Sequence, residues 1–176
     1  MDCRFFSGYK PCDKNSDCGR ATCPHYQEGE PRILIIHLEA LGAVLRGTVL
    51  LRAIKDKWPQ AHITWMTSPG AAPLLQNNPF IDRLLKNNHD DCTALRALAF
   101  DYTYCIDKSL VAAGLLTLPK SLGQAHGFGA EAKTGASIPL SAHSFALYEL
   151  GLSNHEKFFV NKKPETQLII EAVGLE

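Results

Sequence analysis

Residues 32–58 read RILIIHLEALGAVLRGTVLLRAIKDKW, and this stretch decides the fold. The apolar run from Ile33 to Leu38 is short and nearly continuous, as in a parallel strand that is covered on both faces. Gly42 follows where the chain must turn, and glycine tolerates the backbone angles that tight turns need. Beyond it, apolar residues recur at helical spacing as far as Trp58. The pattern predicts a buried strand, a turn and an amphipathic helix, an arrangement at which α/β proteins bind ligands.

The rest of the chain alternates predicted strands with predicted helices. Strands are predicted at 62–67, 81–86, 101–107 and 124–127, and helices at 71–76, 92–99, 111–118, 141–150 and 166–173. Residues 127–139 have the composition of a loop. The alternation predicts a Rossmann-like α/β domain at 31–176, with a mostly parallel sheet flanked by helices. A Cys-rich segment at 1–30 precedes it.

The composition is that of a globular protein that does not bind nucleic acid. The 176 residues are 45% hydrophobic and 20% charged, with a formal net charge of zero. A net charge of zero argues against a strongly electropositive nucleic-acid binder and leaves only a local basic patch open. No apolar run is long enough to cross a bilayer, and the N-terminus has no signal-peptide pattern. We therefore predict a cytoplasmic protein.

Four of the six cysteines are concentrated at the N-terminus with the spacing C-x8-C-x5-C-x4-C, namely Cys3, Cys12, Cys18 and Cys23. Four thiolates satisfy the tetrahedral preference of zinc, and a four-cysteine set also holds iron–sulfur clusters. Metal binding would supply the folding free energy that this core-poor segment lacks. We predict a structural zinc site here, with an iron–sulfur cluster as the alternative. Disulfides are disfavoured in a reducing cytosol.

Several polar side chains follow the predicted strands, at the edge of the sheet where ligands bind. Glu39 comes directly after the first strand, and Arg46 lies one turn into the helix. Asp107 and Lys108 end a later strand. The alternative for Glu39 is helix capping or solvent exposure, and the alternative for Arg46 is solvent exposure. A phosphate-binding loop is not predicted, because Thr48 stands where the loop's lysine should follow the second glycine.

Three motifs resemble glycosyltransferase family 9, which contains the heptosyltransferases of lipopolysaccharide core synthesis. They are LGAV at 41–44, WP at 58–59 and NPFID at 78–82. Looser similarity continues through FDYTYCIDK and HGFG to the end of the chain. The Cys-rich segment resembles an extension that is present in a bacterial subgroup of this family.

The resemblance implies the N-terminal, acceptor-binding half of a GT-B-type architecture, in which two Rossmann-like domains face each other. A second domain would bind the nucleotide sugar, typically ADP-heptose. A carboxylate in the turn would accept the proton of the acceptor hydroxyl during an inverting transfer that needs no metal. Substrate contacts are expected at Gly42, Arg46, Asp107 and Lys108. The expected partners are a sugar or lipid-linked glycan acceptor and, peripherally, the inner membrane.

Two departures from the family pattern leave two hypotheses open. The aspartate that follows the glycine in the family is Ala43 here, and a methyl group cannot accept a proton. Glu39, earlier in the turn, is the predicted substitute. The sequence ends at Glu176, about where the family crosses to its second domain, so the chain alone is expected to be inactive. The alternative is a non-catalytic binding module that keeps the fold and a structural zinc or iron–sulfur site.

Overall fold

A six-stranded sheet forms the centre of the computed structural model, which describes residues 3–6, 8–18 and 23–175. The strands are Arg32–Ile36 (β1), His62–Thr67 (β2), Arg83–Lys86 (β3), Ala99–Cys105 (β4), Ser121–Ala130 (β5) and Ser137–Pro139 (β6). Their order is β3-β2-β1-β4-β5-β6. All neighbours pair in parallel except β6, which is antiparallel to β5. The predicted mostly parallel α/β sheet is confirmed.

Helices cover both faces of this sheet. They are Leu41–Gly47 (α1), Val49–Lys57 (α2), Ala72–Leu75 (α3), His89–Leu95 (α4), Leu110–Leu115 (α5), Ala142–Leu152 (α6) and Glu165–Ala172 (α7), with a π-helical turn at Glu156–Val160. Ile33 and Ile35 of β1 pack in one core with α2 and α7. Leu34 and Ile36 pack in the other core with α4 and α5. Strand β1 is continuously apolar because both of its faces are buried.

The helix predicted after the first turn is divided in two at Thr48. The Thr48 hydroxyl donates a hydrogen bond to the carbonyl oxygen of Leu45 at 2.7 Å, and this local bond closes α1 before α2 begins. The helix predicted at 92–99 begins earlier, at His89. Its N-cap is Asn88, whose side chain accepts the N–H of Asp91 at 2.9 Å.

The loop predicted at 127–139 is partly wrong, because strand β5 continues to Ala130 and β6 pairs back against its end. The pairing of residues 128–130 with 137–139 is tertiary, so no periodicity within either segment announces it. The helix predicted at 141–150 continues through Gly151 to Leu152.

Asp82 connects the Cys-rich segment to the α/β domain. Its Oδ1 accepts the Nε–H of Arg4 at 3.1 Å, and the Nη2 of the same guanidinium forms an ion pair with it. Its Oδ2 accepts the N–H of Ile63 at 2.9 Å and lies 3.8 Å from the ammonium of Lys55. One carboxylate therefore holds the N-terminal segment, strand β2 and helix α2 together.

His62 is buried where the N-terminal segment covers the start of β2. Burial lowers the pKa of His62 to about 4; Asp82 opposes this shift, and three cations add to it, namely Arg32, Arg83 and Arg4. An unfolded histidine binds its proton near pH 6.5, well above the folded value. The free energy of unfolding is therefore expected to fall as the pH drops from about 6.5 towards 4, and the loss is about 3 kcal/mol at pH 4.

Urea denaturation between pH 7 and pH 4 measures this loss. The variant His62→Gln should lack that part of the pH dependence, whereas His155→Gln, at an exposed position, should retain it. Parallel stability curves for the wild type and His62→Gln would contradict a neutral, buried His62.

Candidate functional site

A cavity of about 530 Å³ opens at the carboxyl ends of β1 and β4. Strand β1 lies between β2 and β4. The chain connects β1 to β2 on one side, and β4 is added later on the other side of β1, so the strand order reverses here. Such a topological switch point forms the crevice in which open α/β sheets bind their ligands. The other walls come from α6, the π-helical turn and the start of α7.

The structure brings most of the predicted site residues together. Side chains from the β1–α1 turn, from α1 and from the end of β4 all line the cavity, namely Glu39, Ala43, Arg46, Asp107 and Lys108. Gly42 does not line it and lies on the exposed surface of α1. Helix α1 has only seven residues, so its N-terminus offers little to an anion.

Asp107 braces the turn that follows β1. Its Oδ2 accepts the N–H groups of Leu38 at 2.9 Å and Glu39 at 3.2 Å, and its Oδ1 accepts the N–H of Ser109 at 2.8 Å. Burial alone would raise the pKa of Asp107, but these hydrogen bonds outweigh burial and keep the pKa below its ordinary value. The carboxylate thus stays ionised, and both of its oxygens accept hydrogen bonds. It fixes the backbone that carries Glu39.

Glu39 and Ala43 occupy the turn where a proton acceptor is expected. The carboxylate of Glu39 is exposed at the cavity and makes no hydrogen bond or ion pair with another described residue. Ala43 contributes only a methyl group to the same wall. Of the two, only Glu39 can accept a proton.

His37 is a candidate site residue that was not singled out from the sequence. It lines the cavity and is only 5% exposed, and its Nδ1 is buried without a hydrogen-bond partner. Gly47 makes room for the ring, since a Cβ there would lie 2.7 Å from this Nδ1. Burial lowers the pKa of His37, so the imidazole is neutral near pH 7 and keeps a lone pair that can accept a proton. The sequence signal that could have identified this residue is its position near the end of the apolar run that forms β1.

The two predicted cations of the site differ in their surroundings. Arg46 is held by Glu165, with 2.7 Å between Nε and Oε2, and both side chains are about half exposed. The ammonium of Lys108 instead lies 4.4 Å from the ring centre of Phe128. Burial, together with the charge of Lys157, lowers the pKa of Lys108.

The four N-terminal cysteines lie within the described residues as partly exposed thiols. Desolvation and the neighbouring charges of Cys12, Cys23 and Cys3 raise the pKa of Cys18. Within 3–6, 8–18 and 23–175, no three ligands are close enough together to hold a metal ion. Residues 19–22, between Cys18 and Cys23, are outside the described residues.

The fold is similar to that of solved heptosyltransferases. Escherichia coli heptosyltransferase WaaC with ADP superimposes with a TM-score of 0.52 and 17% identity, over 81% of this chain and 47% of that one. WaaC with ADP-2-deoxy-2-fluoro heptose gives a TM-score of 0.53 at 17% identity, over 81% and 48%. A family 9 glycosyltransferase from Veillonella parvula gives 0.45 at 16% identity, over 72% and 42%.

No family model and no curated protein sequence matches the chain. The chain spans about half the length of the WaaC structures. The fold of the α/β domain is similar to that of the matched half of the WaaC structures. The predicted resemblance to heptosyltransferases is confirmed at that level.

Proposed function

We propose that this chain is the acceptor-binding half of a glycosyltransferase that transfers a sugar from a nucleotide sugar of the ADP-heptose type to a lipopolysaccharide-core-like acceptor. The observation that carries the proposal is the cavity at the switch point, which combines a free carboxylate with a neutral histidine and cations. The similar WaaC structures contain ADP or an ADP-heptose analogue, which supports this class of donor. A second domain would bind the donor, so the chain alone would be inactive.

The proton chemistry follows from the side chains in the cavity. In an inverting transfer, the acceptor hydroxyl attacks the anomeric carbon, the nucleoside diphosphate leaves, and a base takes the hydroxyl proton. The oxygens of Asp107 are already occupied by backbone N–H groups. We assign the base to Glu39, with the neutral imidazole of His37 as a second proton acceptor.

Nuclear magnetic resonance titration tests the acceptor assignment on the chain itself. A core oligosaccharide released from lipopolysaccharide should shift the backbone amide signals of His37, Glu39 and Lys108, and ADP-heptose should leave them unchanged. Shifts at these residues with ADP-heptose alone would overturn the proposal. An absence of shifts with both ligands would also overturn it.

Ala43→Asp separates the enzyme from the non-catalytic binding module. In a polypeptide that carries both halves, a carboxylate at this position should raise the transfer rate further, because it adds a proton acceptor where Ala43 has a methyl group and Glu39 acts from a different part of the turn. Release of ADP measures the rate. Ala94→Asp is the control, because it adds the same charge on exposed α4, away from the cavity. Equal, measurable rates for Ala43→Asp and the wild type would refute a catalytic role for position 43, and no transfer by either protein would favour the binding module.

We further propose that Cys3, Cys12, Cys18 and Cys23 hold a structural zinc ion, with an iron–sulfur cluster as the alternative. The set offers four thiolates, the ligands that both groups use. Cys3 is already tied to the end of its segment by a β-bridge with Glu28. Binding would draw the other thiols together and stabilise a segment that lacks a core.

Elemental analysis and an absorption spectrum decide the identity of this metal. A colourless protein with about one zinc per chain supports zinc, and a brown protein with iron and sulfide supports a cluster. Replacing the four cysteines by serine should abolish either one, whereas Cys92→Ser should not. A purified protein with neither metal would refute the site.

Peripheral contact with a membrane is proposed for the π-helical turn, which borders the cavity. Phe158 and Phe159 are 66% and 72% exposed beside Lys157, a combination that suits the surface of an anionic bilayer. None of the helices in the described part of the chain has the length and apolar character that a bilayer crossing needs. In a flotation assay with anionic vesicles, the doubly substituted F158S/F159S protein should no longer float with the vesicles. The Leu110→Ser protein should still float with them. Equal flotation of both variants would refute the contact.

A further inference from the structure

We propose that Lys108 and Lys157 form a subsite for a phosphate group inside the cavity, and that the acceptor is therefore a phosphorylated sugar. The assignment to the acceptor rests on the function proposed above. The subsite itself rests on the charges and contacts around these two lysines.

Other cations of the cavity wall are already neutralised. Arg46 is paired with Glu165 at 2.7 Å, and Lys163 is paired with Glu171, also at 2.7 Å. Lys108 and Lys157 line the same cavity, and neither has a carboxylate partner anywhere in the described part of the chain. Two uncompensated positive charges therefore remain on one side of the cavity.

The ammonium of Lys108 is held in place by the wall around it. Its Nζ lies over the ring of Phe128 and donates a long hydrogen bond, 3.5 Å, to the carbonyl oxygen of Leu147. Gly151 leaves the space that it occupies, since a Cβ there would lie 3.1 Å from Nζ. The group is thus positioned before any ligand arrives, which reduces the entropy lost on binding.

The proximity of the two lysines has an electrostatic cost that an anion would remove. The charge of Lys157 is close enough to add to the effect of burial in lowering the pKa of Lys108. Two like charges in a partly desolvated cavity destabilise each other, and a phosphate between them would turn this repulsion into two attractive contacts. A lysine pair suits phosphate as a pair of point charges.

The charges of the cavity also orient the ligand. Glu39, at the β1–α1 turn, repels an anion, whereas the lysines at the end of β4 and on the π-helical turn attract one. A phosphorylated sugar would therefore place its phosphate at Lys108 and Lys157. Its hydroxyl groups would point towards Glu39 and His37, the two proton acceptors.

Isothermal titration calorimetry with glucose 6-phosphate, inorganic phosphate and glucose tests the subsite. We expect glucose 6-phosphate to bind best and glucose not to bind. Lys108→Gln and Lys157→Gln should each weaken glucose 6-phosphate binding by about tenfold, because each removes a charge-assisted hydrogen bond. Lys162→Gln, which removes a charge outside the cavity wall, should bind as the wild type does, and Lys108→Arg should retain most of the affinity.

Three results would overturn the proposal. They are binding of glucose as tight as that of its phosphate, equal weakening by Lys162→Gln, and inorganic phosphate binding more tightly than the sugar phosphate, which would indicate a free-phosphate site. Unfolding midpoints of the variants exclude misfolding as the cause. The two proposals fail separately: an oligosaccharide that binds equally to the wild type and Lys108→Gln refutes only the subsite. Phosphate binding that depends on Lys108, without oligosaccharide binding, refutes only the glycosyltransferase function.

Discussion

Replacement of Asp82 by asparagine is expected to lower the free energy of unfolding by about 3–5 kcal/mol, the range for removing one partner of a buried ion pair. The side chains of Arg4 and Lys55 are only 13% and 11% exposed, so both cations would remain poorly solvated without their carboxylate. The amide oxygen of asparagine can still accept the N–H of Ile63. The loss therefore reports the charge rather than the backbone hydrogen bond. Chemical denaturation at pH 7 measures it.

Asp56→Asn is the matched control. It removes the same charge from an exposed pair with Arg52, in which Nε and Oδ1 are 2.8 Å apart, and should cost less than about 0.5 kcal/mol. If Asp82→Asn cost no more than this control, Asp82 would not anchor the Cys-rich segment. Asp82 is the last residue of NPFID, a motif on which the family resemblance depends. In this chain the residue has a structural role, because its oxygens hold the N-terminal segment and not the cavity.

Local pattern was sufficient for most of the fold. Strand β2 lies where it was predicted, at His62–Thr67, because Pro59 and the Ser68-Pro69-Gly70 turn delimit it on both sides. Strand β6 was missed because three residues that pair with the end of β5 carry no periodic signal of their own. The division of the first helix at Thr48 was missed because a single hydroxyl-to-carbonyl bond is too local to alter the apolar spacing.

The location of the site could be predicted, but the state of its residues could not. Glu39, Asp107 and Lys108 follow strands whose carboxyl ends meet at one edge of the sheet, so their convergence follows from topology. Their partners depend on the tertiary fold. Arg46 is neutralised by Glu165, which is 119 positions further along the chain. One oxygen of Asp107 accepts hydrogen bonds from the backbone that follows β1 and the other from the N–H of Ser109, so the residue supports the turn, and its contact with substrate stays a prediction.

Gly127→Ala is expected to have the other large effect, a loss of about 3 kcal/mol or more in the free energy of unfolding. Gly127 pairs with Cys105 across β5 and β4 and has a φ of +94°. A Cβ there would lie 2.0 Å from the carbonyl oxygen of Cys105, a backbone atom that cannot move without displacing β4. Backbone conformation and steric overlap therefore act in the same direction.

Gly114→Ala is the control for the general effect of adding a methyl group. Gly114 lies in α5 with no atom within 4 Å of its added Cβ, so alanine should raise stability by up to about 1 kcal/mol. A similar change for both variants, measured by chemical denaturation, would contradict the close approach of β4 and β5. Gly127 is followed by Phe128, over which the ammonium of Lys108 lies, and Cys105 is the last residue of β4, two positions before Asp107. Any Gly127→Ala protein that still folds should therefore bind glucose 6-phosphate more weakly, because the displaced strands carry one wall of the cavity.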